Sequence, residues 1–160
     1  MGNEIGQLRE WDETREQDWE LLKFPKHDSF HEFILALNKL YQSHPALYQG
    51  EYNKDNFKWL EVNAMNECVY IYERKSNDER LIIALNFSNN NYDVFDFGIG
   101  DHVIIEEILN SDLDIYGGET PINTVAFRQE SIERDEGYYK YCLSISISAF
   151  SAKIFKVKKI

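Results

Sequence analysis

From residue 57 onward the chain consists of short runs that are continuously apolar or alternate between apolar and polar residues. Alternation with a period of two, in runs rich in Val, Ile, Tyr and Phe, is typical of β-strands. The runs lie at 57–62, 67–74, 80–88, 91–99, 102–110, 124–128, 138–147 and 152–158. Polar turn clusters such as KSNDER, SNNN and SIERDEG separate most of them, with no helical period in between. This pattern predicts a mainly β fold, an antiparallel β-sandwich.

A single stretch ahead of these strands has the spacing of an amphipathic helix. Apolar residues recur there every three or four positions, which predicts one face packed on a core. They are Phe30, Phe33, Ile34, Leu37, Leu40 and Tyr41. Ser29 and Glu32 have the spacing of a capping box, and the proline after His44 favours an end there. The sequence therefore predicts one α-helix, at 28–43.

The first 27 residues show no clean period and predict an ordered loop with one short helical turn. Trp11 and Trp19 lie in this loop. An indole ring combines a large apolar surface with one polar group. Loop tryptophans therefore cover sugar faces, seal interfaces or pack a loop onto its own domain, and the sequence leaves these alternatives open.

The chain of 160 residues carries a formal net charge of −11. This acidic balance argues against nucleic acid and anionic membranes as partners, because both require a basic surface. No apolar signal segment is present at the start, which predicts a cytoplasmic protein. In that compartment Cys68 and Cys142, both in predicted strands, are expected to be reduced core thiols.

The histidines do not form a convincing metal site. His27 and His31 are four residues apart, but a helix that begins near Ser29 leaves His27 outside its face, and a third ligand is absent. His44 and His102 stand alone in the sequence and are predicted to be surface residues. We therefore expect no metal site and no cofactor.

The carboxylates do not form a catalytic pair either. Glycoside chemistry needs two carboxylates about 5–10 Å apart across one bond. Glu106 and Glu107 are adjacent in a predicted strand, so they point to opposite faces of the sheet. The sequence thus predicts no catalytic residue in this chain.

Short motifs along the whole chain resemble one known family. The opening MGNEIGQ is followed by REW at 9–11, DW at 18–19 and LL at 21–22. Further motifs are LNKLY (37–41), PAL (45–47), FKW (57–59), NFS (86–88), EILNSD (107–112), YGG (116–118) and LSISI (143–147). In this order they resemble the end of the catalytic barrel and the C-terminal β domain of bacterial 1,4-α-glucan (glycogen) branching enzymes of the α-amylase family.

Two stretches depart from the family's pattern. SAFS at 148–151 stands where the family usually has two prolines before the final strand. RQESIERDEGYYKY at 128–141 lacks the family's usual tryptophan-containing loop. Both departures concern the geometry of turns rather than the assignment.

The resemblance implies a division into two parts. Residues 1–47 would be the tail of a catalytic (β/α)8 barrel, the loop after strand 8 and helix 8, and 48–160 the C-terminal sandwich domain. The rest of the barrel would be missing from this chain. Active sites in barrels lie at the C-terminal ends of the strands. The resemblance therefore makes Asn3, Glu4, Arg9 and Trp11 candidate substrate-binding residues at the rim of the site.

The resemblance also implies an activity for the family. Branching enzymes cut an α-1,4 bond of a glucan through a covalent glycosyl-enzyme intermediate and transfer the released segment to a 6-hydroxyl. The family's catalytic carboxylates lie on earlier barrel strands, so this fragment is expected to be non-catalytic, with a structural or glucan-contacting role. Tyr48, Tyr52 and Trp59 are candidate glucan contacts, although packing also explains such rings.

Three partners follow from this interpretation: the missing barrel, an α-glucan, and a second copy of the chain. The second copy would form a homodimer through the apolar face of helix 28–43. Two alternatives stay open, a stand-alone carbohydrate-binding or interaction module and the tail of another α-amylase-family enzyme.

Overall fold

The fold is mainly β, as the sequence predicts. The computed structural model describes residues 1–122 and 127–160, and within them it has one α-helix and nine strands. The helix α1 is Pro25–Ser43. The strands are β1 (Phe57–Glu61), β2 (Val69–Lys75), β3 (Arg80–Asn86), β4 (Tyr92–Ile99), β5 (Val103–Asn110), β6 (Arg128–Glu130), β7 (Ile132–Glu133), β8 (Tyr141–Ile147) and β9 (Ala152–Lys159).

Seven of the predicted strands are confirmed, with shifted ends. The run at 124–128 falls largely on residues 123–126, which lie outside the described part of the chain, and β6 begins only at Arg128. β7 lies inside the stretch SIERDEG, where only a turn was predicted. β8 begins at Tyr141 rather than at residue 138, because the residues just before it belong to a turn.

The strands form two antiparallel sheets. One has six strands in the order β1-β2-β3-β9-β5-β6, and the other has three in the order β4-β8-β7. Apolar side chains from one face of each sheet pack together in a single core, so the predicted sandwich is confirmed. The core residues are Leu60, Val69, Ile71, Ile82, Ala84, Phe97, Ile99, Val103, Ile105, Leu143, Ile145, Ile147, Phe155 and Val157.

Helix α1 begins three residues earlier than predicted, and the predicted capping box is wrong. Pro25 occupies the first helical position, where a backbone N–H would have no partner within the helix, so its absence costs no hydrogen bond. The carbonyl of Phe24 accepts the first helical hydrogen bond, from Asp28 N at 3.1 Å. The Ser29 hydroxyl donates instead to the carbonyl of Pro25 at 2.6 Å. The helix ends at Ser43, as the following proline predicts.

The chain forms two compact units, and the first is discontinuous in sequence. It contains residues 1–43 and the described part of 111–124. In the inserted stretch, the Asp112 carboxylate accepts the Thr120 hydroxyl at 2.7 Å. A Cβ on Gly118 would lie 2.2 Å from the main-chain oxygen of Asp112, so this turn requires glycine. Tyr116 packs edge-on against Phe33 of α1, at 5.5 Å between ring centroids. The predicted domain boundary at 47/48 stays a prediction.

The second unit contains residues 44–110 and the described part of 125–160. Its first residues are held by a carboxylate at the β2–β3 turn. Glu79 accepts hydrogen bonds from His44 Nδ1 at 2.7 Å and from Ala46 N at 3.2 Å. The His44 side chain, predicted at the surface, is partly buried by this contact and only 17% exposed. His102 lies at the surface as predicted, with its side chain 39% exposed, and pairs with Glu130 at 2.9 Å.

A buried amide ties the end of β3 to the turn between β8 and β9. Asn86 is 2% exposed. Its amide nitrogen donates to the carbonyls of Asn90 at 2.8 Å and Ser148 at 2.9 Å, and its amide oxygen accepts Ser88 N at 2.9 Å. The stretch SAFS thus supplies a main-chain partner at the position where the resembled family usually has prolines. Its Phe150 has a φ of 49°, which is unusual for a residue other than glycine.

Candidate functional site

Two histidines of α1 form hydrogen bonds with the main chain of the opening segment. Asn3 and Glu4 lie in a short 3-10 helix, Asn3–Ile5. Because a carbonyl can only accept, His27 Nδ1 donates to the Ile5 oxygen at 2.8 Å, and His31 Nδ1 donates to the Glu4 oxygen at 3.0 Å. The expectation that His27 lies outside the helix is wrong, since α1 begins at Pro25. Both rings hold the main chain of the segment.

Arg9 is the centre of the loop that follows. Its Nε lies 3.1 and 3.0 Å from the two carboxylate oxygens of Asp18. Its Nη1 donates to the Glu10 carbonyl at 3.4 Å, and its Nη2 donates to the Glu16 carbonyl. Gln7 adds a further bond, because its side-chain oxygen accepts Asp18 N at 3.0 Å. The guanidinium therefore shapes the loop between residues 9 and 18.

The two loop tryptophans are half exposed. Trp11 is 55% exposed and Trp19 is 52% exposed. The structure thus places two indoles at the surface of the first unit, beside a loop whose shape depends on Arg9. Burial of these rings within their own loop is incomplete.

The adjacent carboxylates of β5 have separate partners. Glu106 and Glu107 pair with different lysines, Glu106 with Lys158 at 2.7 Å and Glu107 with Lys153 at 3.0 Å. The hydrogen bond from Lys158 is the largest influence on Glu106 and lowers the pKa of its carboxyl. Both charges are thus engaged in structural ion pairs.

Within residues 1–122 and 127–160, no group of three or more His, Cys, Asp or Glu residues is arranged to hold a metal ion. In the same described ranges, no helix has the length and apolarity needed to cross a membrane. Cys142 is buried, which raises the pKa of its thiol, and both cysteines are free.

A cleft of about 390 Å³ opens at one edge of the sandwich. Its walls are the end of β1 with the following residues to Asn63, Gly98 of β4, and the turn before β8. Tyr139 closes its inner side and packs against the sandwich core. A Cβ at Gly98 would lie 2.4 Å from the Tyr139 ring, so the ring fits only because residue 98 is glycine. Tyr138, which is 94% exposed, stands at the mouth.

A cluster of aromatic rings covers β1 and β2. Trp59 packs edge-on against Phe57 at 5.2 Å and against Tyr72 at 5.6 Å between ring centroids. Burial of the Tyr72 ring raises the pKa of its phenol. Trp59 keeps 45% of its surface exposed, while Tyr48 is 38% and Tyr52 is 99% exposed. Trp59 is thus partly a packing residue, and Tyr52 projects into solvent.

Sequence reasoning missed the edge cleft, although two signals for it were present. A glycine inside a strand marks a place where another group approaches closely. Adjacent tyrosines in a stretch that departs from the family's pattern are a second signal. The sequence pattern predicts these tyrosines at the start of β8, whereas the structure places them in the turn before it.

The two sheets, their common core and the aromatic edge define an all-β sandwich domain. The chain belongs to the family of the alpha amylase C-terminal all-beta domain, whose family model matches residues 59–158. This match covers both sheets from the aromatic cluster of β1 to the last strand.

Curated proteins similar to this chain are named as branching enzymes. A 1,4-alpha-glucan branching enzyme GlgB from Oceanobacillus iheyensis is 36% identical over 125 residues, which are 77% of this chain and 20% of that protein. The GlgB proteins of Prochlorococcus marinus strain AS9601 and Salinibacter ruber are each 32% identical over 98% of this chain, and over 21% and 24% of their own lengths. The chain thus spans about a fifth to a quarter of these relatives.

Solved structures show the same fold. A variant of AmyP in complex with maltotriose superposes with a TM-score of 0.54 at 19% identity, over 83% of this chain and 21% of that chain. An alpha-amylase from Geobacillus thermoleovorans complexed with acarbose gives 0.52 at 14% identity, over 84% and 23%. At these identities the likeness concerns the fold alone.

Proposed function

We propose that this chain serves as the C-terminal part of a 1,4-α-glucan branching enzyme, which transfers an α-1,4-glucan segment to a 6-hydroxyl. The observation that carries the proposal is its 32% identity to branching enzymes across 98% of its length, including the opening segment as well as the sandwich. Action in the cytoplasm stays a prediction.

In this proposal the chain itself performs no bond cleavage. Its adjacent carboxylates, Glu106 and Glu107, are engaged with separate lysines and do not flank a common site. The chain contributes a stable sandwich and the segment that leads into it. Catalysis belongs to a barrel of the kind found in the α-amylase family.

The opening segment is the proposed point of substrate contact. Asn3, Glu4 and Trp11 would touch the glucan at the rim of a barrel site, and Arg9 would support them by holding the loop. His27 and His31 fix the main chain of Glu4 and Ile5, which suits a segment that must present side chains in one geometry.

A chimera tests the proposed function. The matching C-terminal part of the Prochlorococcus marinus branching enzyme is replaced by this chain, and branch formation on amylose is followed by loss of iodine staining. We expect the chimera to branch amylose and the isolated chain to be inactive. A folded chimera without activity, or branching by the isolated chain, would contradict the proposal.

Two protein partners are also proposed for helix α1. In a full-length enzyme its apolar face would pack on the catalytic barrel. In the isolated chain, a second copy would cover the same face and form a homodimer through residues 28–43. Phe30 and Tyr41 of this face support this, since they are 37% and 48% exposed.

A further inference from the structure

The edge cleft of the sandwich has the composition of a small carbohydrate site. Two tyrosine rings line it together with polar side chains that can donate or accept hydrogen bonds, among them Asn63 and Arg134. Its volume of about 390 Å³ lies within the range of about 300–1,000 Å³ that is typical of small-molecule sites. We propose that this cleft binds a segment of linear α-1,4-glucan, with Tyr138 as the stacking platform and Tyr139 as the wall.

Tyr139 is held in place before any ligand arrives. Its ring occupies the space left by the missing side chain of Gly98. Its hydroxyl reaches the main-chain oxygen of Trp59 at 3.5 Å, and the Lys58 ammonium lies 4.9 Å from the ring centroid. A wall fixed from three sides loses little conformational freedom when a ligand binds.

Tyr138 presents a large aromatic surface to solvent. It stands perpendicular to Tyr139, with 4.9 Å between ring centroids and an interplanar angle of 87°. This contact uses the ring without burying it, because Tyr138 stays 94% exposed. Tyrosine supplies contact area at a small entropic cost, and its face suits the C–H surface of a sugar ring.

The charges around the cleft favour a neutral ligand. The Glu61 carboxylate already accepts the main-chain N–H groups of Asn63 at 2.6 Å and Ala64 at 3.1 Å. Arg134 pairs with Asp96 at 3.5 Å, and its guanidinium has five N–H donors, so it can also donate to hydroxyl oxygens. The net charge of −11 disfavours anionic ligands such as sugar phosphates.

The choice of an α-glucan among neutral saccharides rests on the proposed function. The cleft itself supplies the aromatic platform, the wall and the hydrogen-bonding groups. The site is built largely by the turn at 134–139, within the stretch that departs from the pattern of branching enzymes. Glucan binding here would therefore be a property of this chain's own turn.

Isothermal titration of the isolated chain with maltoheptaose tests the proposal. We expect Tyr138→Ala to weaken binding about tenfold, the loss of roughly one stacking contact, with an unchanged melting temperature. Tyr138→Phe should bind like the wild type. The matched control is Phe87→Ala, which removes another exposed aromatic ring, 63% exposed and outside the cleft, and should leave binding unchanged.

Three results would overturn the proposal: no binding of maltoheptaose by the wild type, equal binding by Tyr138→Ala, or an equal loss in Phe87→Ala. Glucose 6-phosphate binding at this cleft more tightly than maltoheptaose would also overturn it. The titration is independent of the chimera assay. An active chimera without binding at the cleft refutes only the site, and binding with an inactive chimera refutes only the proposed enzyme context.

Discussion

Gly98 shows how one missing side chain shapes both packing and a site. The strand β4 passes directly beneath Tyr139, and only the absence of a Cβ lets the ring lie there. In the sequence, Gly98 is only an interruption of the strand pattern. The ring that fills the space lies 41 positions further along (139 − 98 = 41), so local spacing does not reveal the pair.

Replacing Gly98 by alanine should therefore disturb the edge of the sandwich. We expect Gly98→Ala to lower the free energy of unfolding by about 1–3 kcal/mol, the usual cost of overpacking, and to weaken maltoheptaose binding because Tyr139 must move. Urea denaturation and isothermal titration measure the two effects. Gly100→Ala is the control, since a Cβ there meets nothing within 4 Å. Equal stability of both variants would contradict this role of Gly98.

At the scale of elements, strand positions were the most predictable part of the chain. Alternating side chains on a half-buried sheet leave a period-two pattern, and seven predicted strands follow it. The predicted start of α1 was wrong because Ser29 and Glu32 have the spacing of a capping box without forming one. The helix instead begins at Pro25, after Phe24. β7 was missed because a strand of two residues leaves no period to detect.

The hydrogen bonds from His44 and Ala46 to Glu79, which anchor residues 44–46 to the β2–β3 hairpin, also belong to this scale. Burial of Glu79 raises its pKa, but the hydrogen bonds from His44 and Ala46 and the charges of His44 and Lys156 outweigh burial, so the pKa lies below its ordinary value of 4.5. A depressed carboxyl pKa stabilises the fold fully above the unfolded value. That stabilisation is lost as the pH falls from 4.5 through the folded value.

Glu79→Gln should therefore be less stable than the wild type at neutral pH. Its free energy of unfolding should also change less steeply with pH below about 4.5, because one titrating anchor is gone. Urea denaturation across that range measures both effects. Glu51→Gln, a change at an exposed carboxylate, should keep the wild-type slope. An unchanged slope in Glu79→Gln would show that the anchor does not depend on charge.

At the scale of the whole molecule, the sandwich was predictable and the make-up of the first unit was not. Short alternating strands without helices between them allow few architectures other than two packed sheets. The insertion of residues 111–122 into the unit of α1 depends on contacts such as Phe33 with Tyr116, which are distant in sequence. The candidate site residues of the opening segment were identified by their resemblance to the family. Which of them hold the loop and which are exposed could be seen only in the structure.

Self-association is the prediction that belongs to this scale. The apolar residues that α1 leaves partly exposed should bring two isolated chains together as a dimer. Sedimentation velocity over a range of concentrations measures this. We expect Phe30→Lys and Tyr41→Lys to shift the chain towards monomer, with Lys39→Glu, a polar exchange on the opposite face of the same helix, as the control. A wild type that stays monomeric at high concentration would contradict the prediction.

The insertion also determines the order in which the chain can fold during synthesis. Residues 25–43 leave the ribosome well before Tyr116, which packs on Phe33 and emerges only after β1 to β5 have been made. At roughly 5–20 residues per second, that delay lasts several seconds. Throughout it, α1 lacks the contact that Tyr116 supplies, and only the opening segment can pack on it from its own unit. The first unit is therefore completed only after five of the nine described strands have been translated.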